Sequence, residues 1–185
     1  MLARGKILIA GGARSGKSAH ALKLASREAG MQSKRVFIAT AEARDEHMKK
    51  RIAEHRRRRG KSFKTIEEPI ELGSALSAQV SKAEVVVIDC ITMWLSNILL
   101  QGLSDQSILE RVRGLARVVK NFPGRVIIVT NEVGAGIVPE NELARRFRDL
   151  AGSANQIMAR TCDQVILMSC GIPRVIKGKE RHGEF

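Results

Sequence analysis

Short apolar runs rich in β-branched residues recur at 6–10, 35–39, 84–89, 125–130 and 164–169, and longer segments between them return their apolar residues at helical spacing. The helical segments fall at 17–29, 45–59, 70–81, 91–100, 105–120 and 141–161. A strand covered on both faces has no polar side, so continuous apolar runs separated by amphipathic helices predict an α/β domain of three layers, with a mainly parallel sheet in the middle. At about 42–68 this rhythm is interrupted by an insertion, a helix with a heavy basic load followed by a short strand at 63–66. The insertion is expected to form the rim of a site on a single domain spanning 1–185. The tail beyond 177 has little apolar content and is expected to fray.

Composition narrows the class. Hydrophobic residues make up 44% and charged residues 28% of the chain, the balance of a folded globular protein. No apolar stretch approaches the length of a membrane span and no signal-peptide core precedes the first strand, so the expected location is the cytoplasm, without stable membrane insertion. The three cysteines, Cys90, Cys162 and Cys170, show no metal-ligand spacing and predict free thiols in a reducing compartment. Aromatics are 3%, with no Tyr and the single Trp94, which weakens any reading as a platform for stacked bases. A formal charge of +13 suits a polyanionic ligand, yet nucleotide phosphates, nucleic acid and membrane surfaces satisfy it equally.

The residues Gly11-Gly12-Ala13-Arg14-Ser15-Gly16-Lys17-Ser18 decide among these. They satisfy the pattern G-x-x-x-x-G-K-[ST], with the strand KILIA before it and the helix former KSAHALKLA after it, the context of a phosphate-binding loop. Its glycines let backbone N–H groups converge on phosphate oxygens, and the following helix adds the positive end of its dipole. Lys17 is expected to reach the β- and γ-phosphates as a catalytic group, and Ser18 to place its hydroxyl on Mg²⁺. A glycine turn that merely joins strand to helix does not account for Lys17 and Ser18 together. The fold class sharpens accordingly to P-loop NTPase-like.

A second Mg²⁺ contact is expected at the end of another buried strand, where Asp89 closes the run VVVID; capping of the next helix is its alternative role. On the basic helix, His47, Arg51, His55 and Arg59 follow at spacings of four and share one face, expected to look outward over the nucleotide. A neutral imidazole among arginines is a candidate nucleophile toward phosphorus, while a solvated surface histidine is the plainer alternative. His20 is expected to be a packing or surface residue, and His182, in the tail, has no expected role. Thr130, Asn131 and Glu132 end a strand at the edge where open α/β sheets bind ligands, and are read equally as substrate contacts or as a turn before Gly134 and Gly136.

Taken in order, GGARSGKS, IATAEA, the helix ending near His55, IDCIT and above all TNEVGAGIVPENELARRFRDLAGSANQ resemble the bifunctional adenosylcobinamide kinase / adenosylcobinamide-phosphate guanylyltransferase family of cobalamin biosynthesis. The resemblance implies phosphorylation of adenosylcobinamide by ATP or GTP, then transfer of GMP from GTP to adenosylcobinamide phosphate through a guanylylated histidine, with Mg²⁺ as cofactor. Carried onto this chain, the histidine is His55. The nucleotide contacts are Gly11 to Ser18, then Thr40, Ala41 and Glu42, then Arg56, Arg57, Arg58 and Arg59, with acidic contacts at Glu67 and Asp89. Some family members carry two adjacent histidines where this chain has Glu54-His55, and some carry Glu where it has Asp89. The partners so implied are the corrinoid substrates and the nucleotides, not nucleic acid, within a homo-oligomer for which a trimer is suggested. On the residues alone, a nucleic-acid-associated P-loop ATPase, a small-molecule kinase without guanylyl transfer and a regulatory nucleotide switch stay open.

Overall fold

The computed structural model describes residues 5–28, 34–43, 45–59 and 62–179. Ala29, Gly60, Lys61, the tail from 180 with His182, and the side chains of His47, Arg51 and Arg58 lie outside the described residues. In chain order the elements are β1 (Lys6–Gly11), α1 (Lys17–Glu28), β2 (Arg35–Ala39), α2 (Glu46–Arg59), β3 (Lys64–Glu67), α3 (Leu72–Ser77), β4 (Val85–Asp89), α4 (Ile91–Leu99), α5 (Asp105–Asn121), β5 (Arg125–Val129), α6 (Glu142–Thr161), β6 (Gln164–Ser169) and β7 (Ile172–Lys177).

These strands form one seven-stranded sheet in the order β3-β2-β4-β5-β1-β6-β7. The pairings among β1 to β6 are parallel, and β7 alone runs antiparallel, against β6. Apart from the charged end residues Asp89 and Arg125, the central strands β4 and β5 are apolar because helices cover both faces: Val85, Val86, Val87 and Ile88 of β4 and Val126, Ile127 and Ile128 of β5 are all 0% exposed. Alternation along the strands divides the core in two. One half joins Val86, Ile88, Val126 and Ile128 to α3, α4, α5 and α6 through Leu76, Trp94, Val112 and Met158. The other joins Ile7, Ile9, Val85 and Val87 to α1 through Ala21, Leu24 and Ala25, and includes Phe37 and Phe63. Removing a leucine such as Leu76 from this packing would cost about 2–5 kcal/mol.

Two elements depart from the sequence expectation. The helix expected over 70–81 is regular only in α3, Leu72–Ser77; beyond it Gln79 N–H bonds Leu76 O and Val80 N–H bonds Ser77 O, a tightened turn rather than an α-helix. The second is β7, an edge strand the hydropathy reading does not register. It is reached by a two-residue loop, Cys170 (φ 52°) and Gly171 (φ 84°), whose positive φ values are those of the tight hairpin turn. No helix of the described residues is long and apolar enough to cross a membrane.

Candidate active site

The parallel strands all end at one edge, and several of the sequence-predicted residues collect there because they follow or close a strand, whereas His55 and Arg56 to Arg59 lie on helix α2. The phosphate loop leaves β1, Thr40 follows β2, Glu67 closes β3 and Asp89 closes β4. The register puts Ala39 opposite both Glu67 and Asp89, and Asp89 opposite Val129.

Backbone geometry shapes the phosphate loop. Gly11 (φ 154°) and Gly16 (φ 95°) occupy conformations that L side chains rarely adopt, and a Cβ on Gly11 would stand 2.4 Å from the carbonyl oxygen of Met168. Arg14 turns the loop at φ 56° and is exposed, as are Gly12 and Ala13. Glu132 N–H donates to Gly11 O (2.9 Å) and Gly171 N–H to Ser15 O (3.2 Å), so neighbouring strand ends hold the loop from outside. Lys17, 7% exposed, reaches back across the loop and donates to Gly12 O at 2.5 Å, with Ser15 Oγ at 3.4 Å. Ser18 is half-buried in the first turn of α1.

Thr40 is fully buried, and its hydroxyl both donates to Cys90 O (2.7 Å) and accepts from Cys90 N–H (2.8 Å), clamping the end of β2 to the end of β4. Ala41 and Glu42 continue into a cavity of about 360 Å³, where they meet Lys49, Ile52 and Arg56 of α2 and Glu67 of β3. Arg56 forms an ion pair with Glu67 across it. His55 Nδ1 lies 3.8 Å from Asp89 Oδ2, the histidine side chain 32% and the aspartate side chain 11% exposed.

The face shared by His55 and Arg59 therefore does not look outward as the helical spacing predicts; it turns onto the sheet. Arg59 is 6% exposed, with its guanidinium carbon 4.1 Å from the Phe37 ring centroid, and Phe63 meets Phe37 edge-on at 6.3 Å. Desolvation lowers the Arg59 pKa, with Asp89 and Glu67 opposing the shift. Here the guanidinium itself lies on an aromatic ring, which a count of charges along the helix does not reveal. Arg57 is exposed. His20 is buried, and desolvation lowers its pKa.

Polar residues missed by the sequence reading brace the same edge. Asn97, 2% exposed in the apolar helix α4, donates to Thr40 O (2.8 Å) and Pro69 O (3.2 Å). Asn155 accepts from Thr130 Oγ1 (2.7 Å) and donates to Asn131 O (3.1 Å), and Asn131 in turn donates to Thr92 Oγ1 (2.8 Å). For Asn97 the signal is an amide among apolar neighbours, a group that burial tolerates only when hydrogen-bonded.

Among the described residues no group of three or more His, Cys, Asp or Glu is arranged to hold a metal ion. Mg²⁺ with a nucleotide does not require one, since phosphates and water supply most of its oxygen ligands; the hydroxyl of Ser18 and the carboxylate of Asp89 are hard donors of the right kind.

The family model described as cobinamide kinase / cobinamide phosphate guanyltransferase matches residues 7–176. The bifunctional adenosylcobalamin biosynthesis protein CobP of Pseudomonas aeruginosa is 43% identical over 173 residues, covering 93% of this chain and 97% of that one. The bifunctional adenosylcobalamin biosynthesis protein CobU of Escherichia coli is 38% identical over 183 residues, 92% of this chain and 99% of that one. Among solved structures, a KaiC-like protein of Pyrococcus horikoshii superposes with a TM-score of 0.56 at 16% identity, over 96% of this chain and 81% of that one. The flagellar accessory protein FlaH of Methanocaldococcus jannaschii gives 0.55 at 14%, over 95% and 79%. At such low identity these two speak for the fold alone, a mainly parallel sheet between helices.

Proposed function

Since the chain belongs to the cobinamide kinase / cobinamide phosphate guanyltransferase family, we propose that it phosphorylates the amino-propanol hydroxyl of adenosylcobinamide with ATP or GTP. It then transfers GMP from GTP to the resulting phosphate, giving adenosylcobinamide-GDP. The observation that carries the reading is the meeting of two chemistries at one sheet edge: a phosphate loop with a buried lysine, and a histidine 3.8 Å from the strand-end carboxylate Asp89.

In the first reaction the loop N–H groups and Lys17 hold the β- and γ-phosphates while the alcohol oxygen attacks the γ-phosphorus and the nucleoside diphosphate leaves. In the second, His55 is the nucleophile. With Nδ1 toward Asp89, Nε2 is the nitrogen free to attack the α-phosphorus of GTP; a P–N bond forms, the Pα–O bond to the β-phosphate breaks, and pyrophosphate departs. The Asp89 carboxylate orients the ring and stabilises the positive charge it gains, as a carboxylate does for a catalytic imidazole elsewhere. An oxygen of the corrinoid phosphate then displaces the imidazole and takes the guanylyl group. Ser18 and Asp89 would hold Mg²⁺, which when bound would neutralise charge on the phosphates. Glu42, Arg56, Glu67 and Lys49 around the 360 Å³ cavity are the side chains proposed to bind the nucleotide. Cytoplasmic action and a homo-oligomeric, trimeric assembly complete the proposal.

The test is product analysis by mass spectrometry after adding cobinamide with ATP, with GTP, and with both. The reading predicts cobinamide phosphate first and cobinamide-GDP only when GTP is present; hydrolysis of nucleotide without either corrinoid product would contradict it.

A further inference from the structure

The segment 131–143, which joins β5 to α6 and includes the first two residues of that helix, borders the site without a part in the chemistry above, and it is unusually apolar for a surface. Ile137 is 97% exposed, Val138 60%, Leu143 46% and Val133 37%. Apolar side chains gathered in one exposed stretch mark a surface that a ligand or partner covers. Its position narrows the choice. β5 lies between β4 and β1, so the segment leaves the sheet between Asp89 and the phosphate loop, and Glu132 N–H binds Gly11 O directly at 2.9 Å. The segment is also fixed at both ends: Asn131 donates to Thr92 Oγ1 (2.8 Å) and its carbonyl accepts from Asn155, Gly134 N–H donates to Glu132 Oε1 (2.7 Å), and Arg145 Nη1 donates to Pro139 O (3.0 Å). A surface this well braced presents its side chains to water before anything binds.

Resting on the functional reading above, we propose that this segment is the acceptor platform, on which Val133, Ile137, Val138 and Leu143 receive the apolar face of the corrin ring. The ring's methyl and methylene groups offer far more apolar area than the amino alcohol that reacts. Platform and phosphate loop are continuous through the Glu132–Gly11 bond, so a ring seated here keeps its alcohol beside the nucleotide. Binding energy from this unreactive body orients the hydroxyl, which is how a remote contact raises the rate of the reacting end.

The test uses the full chain with the double substitution Ile137→Ser and Val138→Ser, and Val80→Ser as an exposed apolar control away from the site. Phosphorylation of cobinamide and of bare 1-amino-2-propanol is followed, with the KM for nucleotide and the mass by light scattering. The platform predicts a KM for cobinamide raised about tenfold or more, with the nucleotide KM, the turnover of the bare amino alcohol and the assembly mass unchanged, and no effect of the control. An unaltered cobinamide KM overturns the proposal, as does a fall in assembly mass, which assigns the surface to a second copy of the chain. A wild-type protein that phosphorylates no cobinamide sinks the functional reading and the platform with it.

Discussion

The phosphate loop and helix α2 serve one site by opposite means. The loop is made of backbone: glycines at positive φ set its path, and main-chain hydrogen bonds from Glu132 and Gly171 hold it to its neighbours. Helix α2, EHMKKRIAEHRRRR, is joined to the sheet by side chains, through Arg59 on Phe37, Arg56 to Glu67 and His55 beside Asp89. A backbone cradle binds any phosphate chain presented to it. A helix that reaches by side chains places one chosen atom, and so depends on individual residues. The difference predicts that damage to α2 separates the two reactions, whereas damage to the loop stops both.

The largest effect is expected at His55. His55→Ala should lower guanylyl transfer by about 10⁴-fold or more, as loss of a nucleophile does, while cobinamide phosphorylation assayed separately stays within a few-fold. Equal losses in the two assays would erase the proposed division of labour. Lys17→Met comes next, lowering both reactions by about 10²- to 10³-fold, the usual loss when a charge-stabilising donor is removed; a loss confined to one of them would contradict a shared cradle.

Gly11→Ala acts on the fold instead. A Cβ 2.4 Å from Met168 O and a φ of 154° should cost about 1–3 kcal/mol in urea unfolding, with activity lost alongside. On the helix side, Arg56→Ala removes a pair whose partners are both more than half exposed, so stability should change by under about 1 kcal/mol. The KM for GTP should nevertheless rise several-fold if the cavity holds the nucleotide.

The smallest effect concerns pH. Burial pushes the Cys90 thiol up to about 11 and the Cys162 thiol up to about 12, from an ordinary 9.0. Above pH 9 the unfolded chain releases these protons while the native state retains them. Their contribution to stability is therefore complete below about pH 9 and is lost as the pH rises toward 11 and 12. The urea midpoint should fall between pH 8 and pH 10, and alkylation of the native protein should reach the exposed Cys170 before the two buried thiols.

How much of this was legible in the sequence follows the same contrast. Strands such as VVVID, and the loop GGARSGKS, are local in origin: burial on both faces needs unbroken apolar residues, and a phosphate turn needs glycine at fixed offsets. The family resemblance carried the chemistry for the same reason. What escaped is tertiary. β7, IPRVIK, carries a proline and exposes Ile172 and Ile176, because an edge strand is covered on fewer sides than a central one. Arg59 has the same charge as its neighbours in the sequence, and only the arrival of Phe37 and Phe63 beneath the helix sets it apart. Thr40 pairs with the Cys90 peptide across 50 positions of sequence, and no motif records that bond.

The central claim is that one histidine carries the guanylyl group, and intact mass after incubation with GTP and Mg²⁺ tests it most directly. The reaction is quenched without acid, because a phosphorus–nitrogen bond is acid-labile. The account predicts that the wild-type chain gains one GMP moiety and His55→Ala gains none. An adduct on both proteins, or on neither, would contradict it.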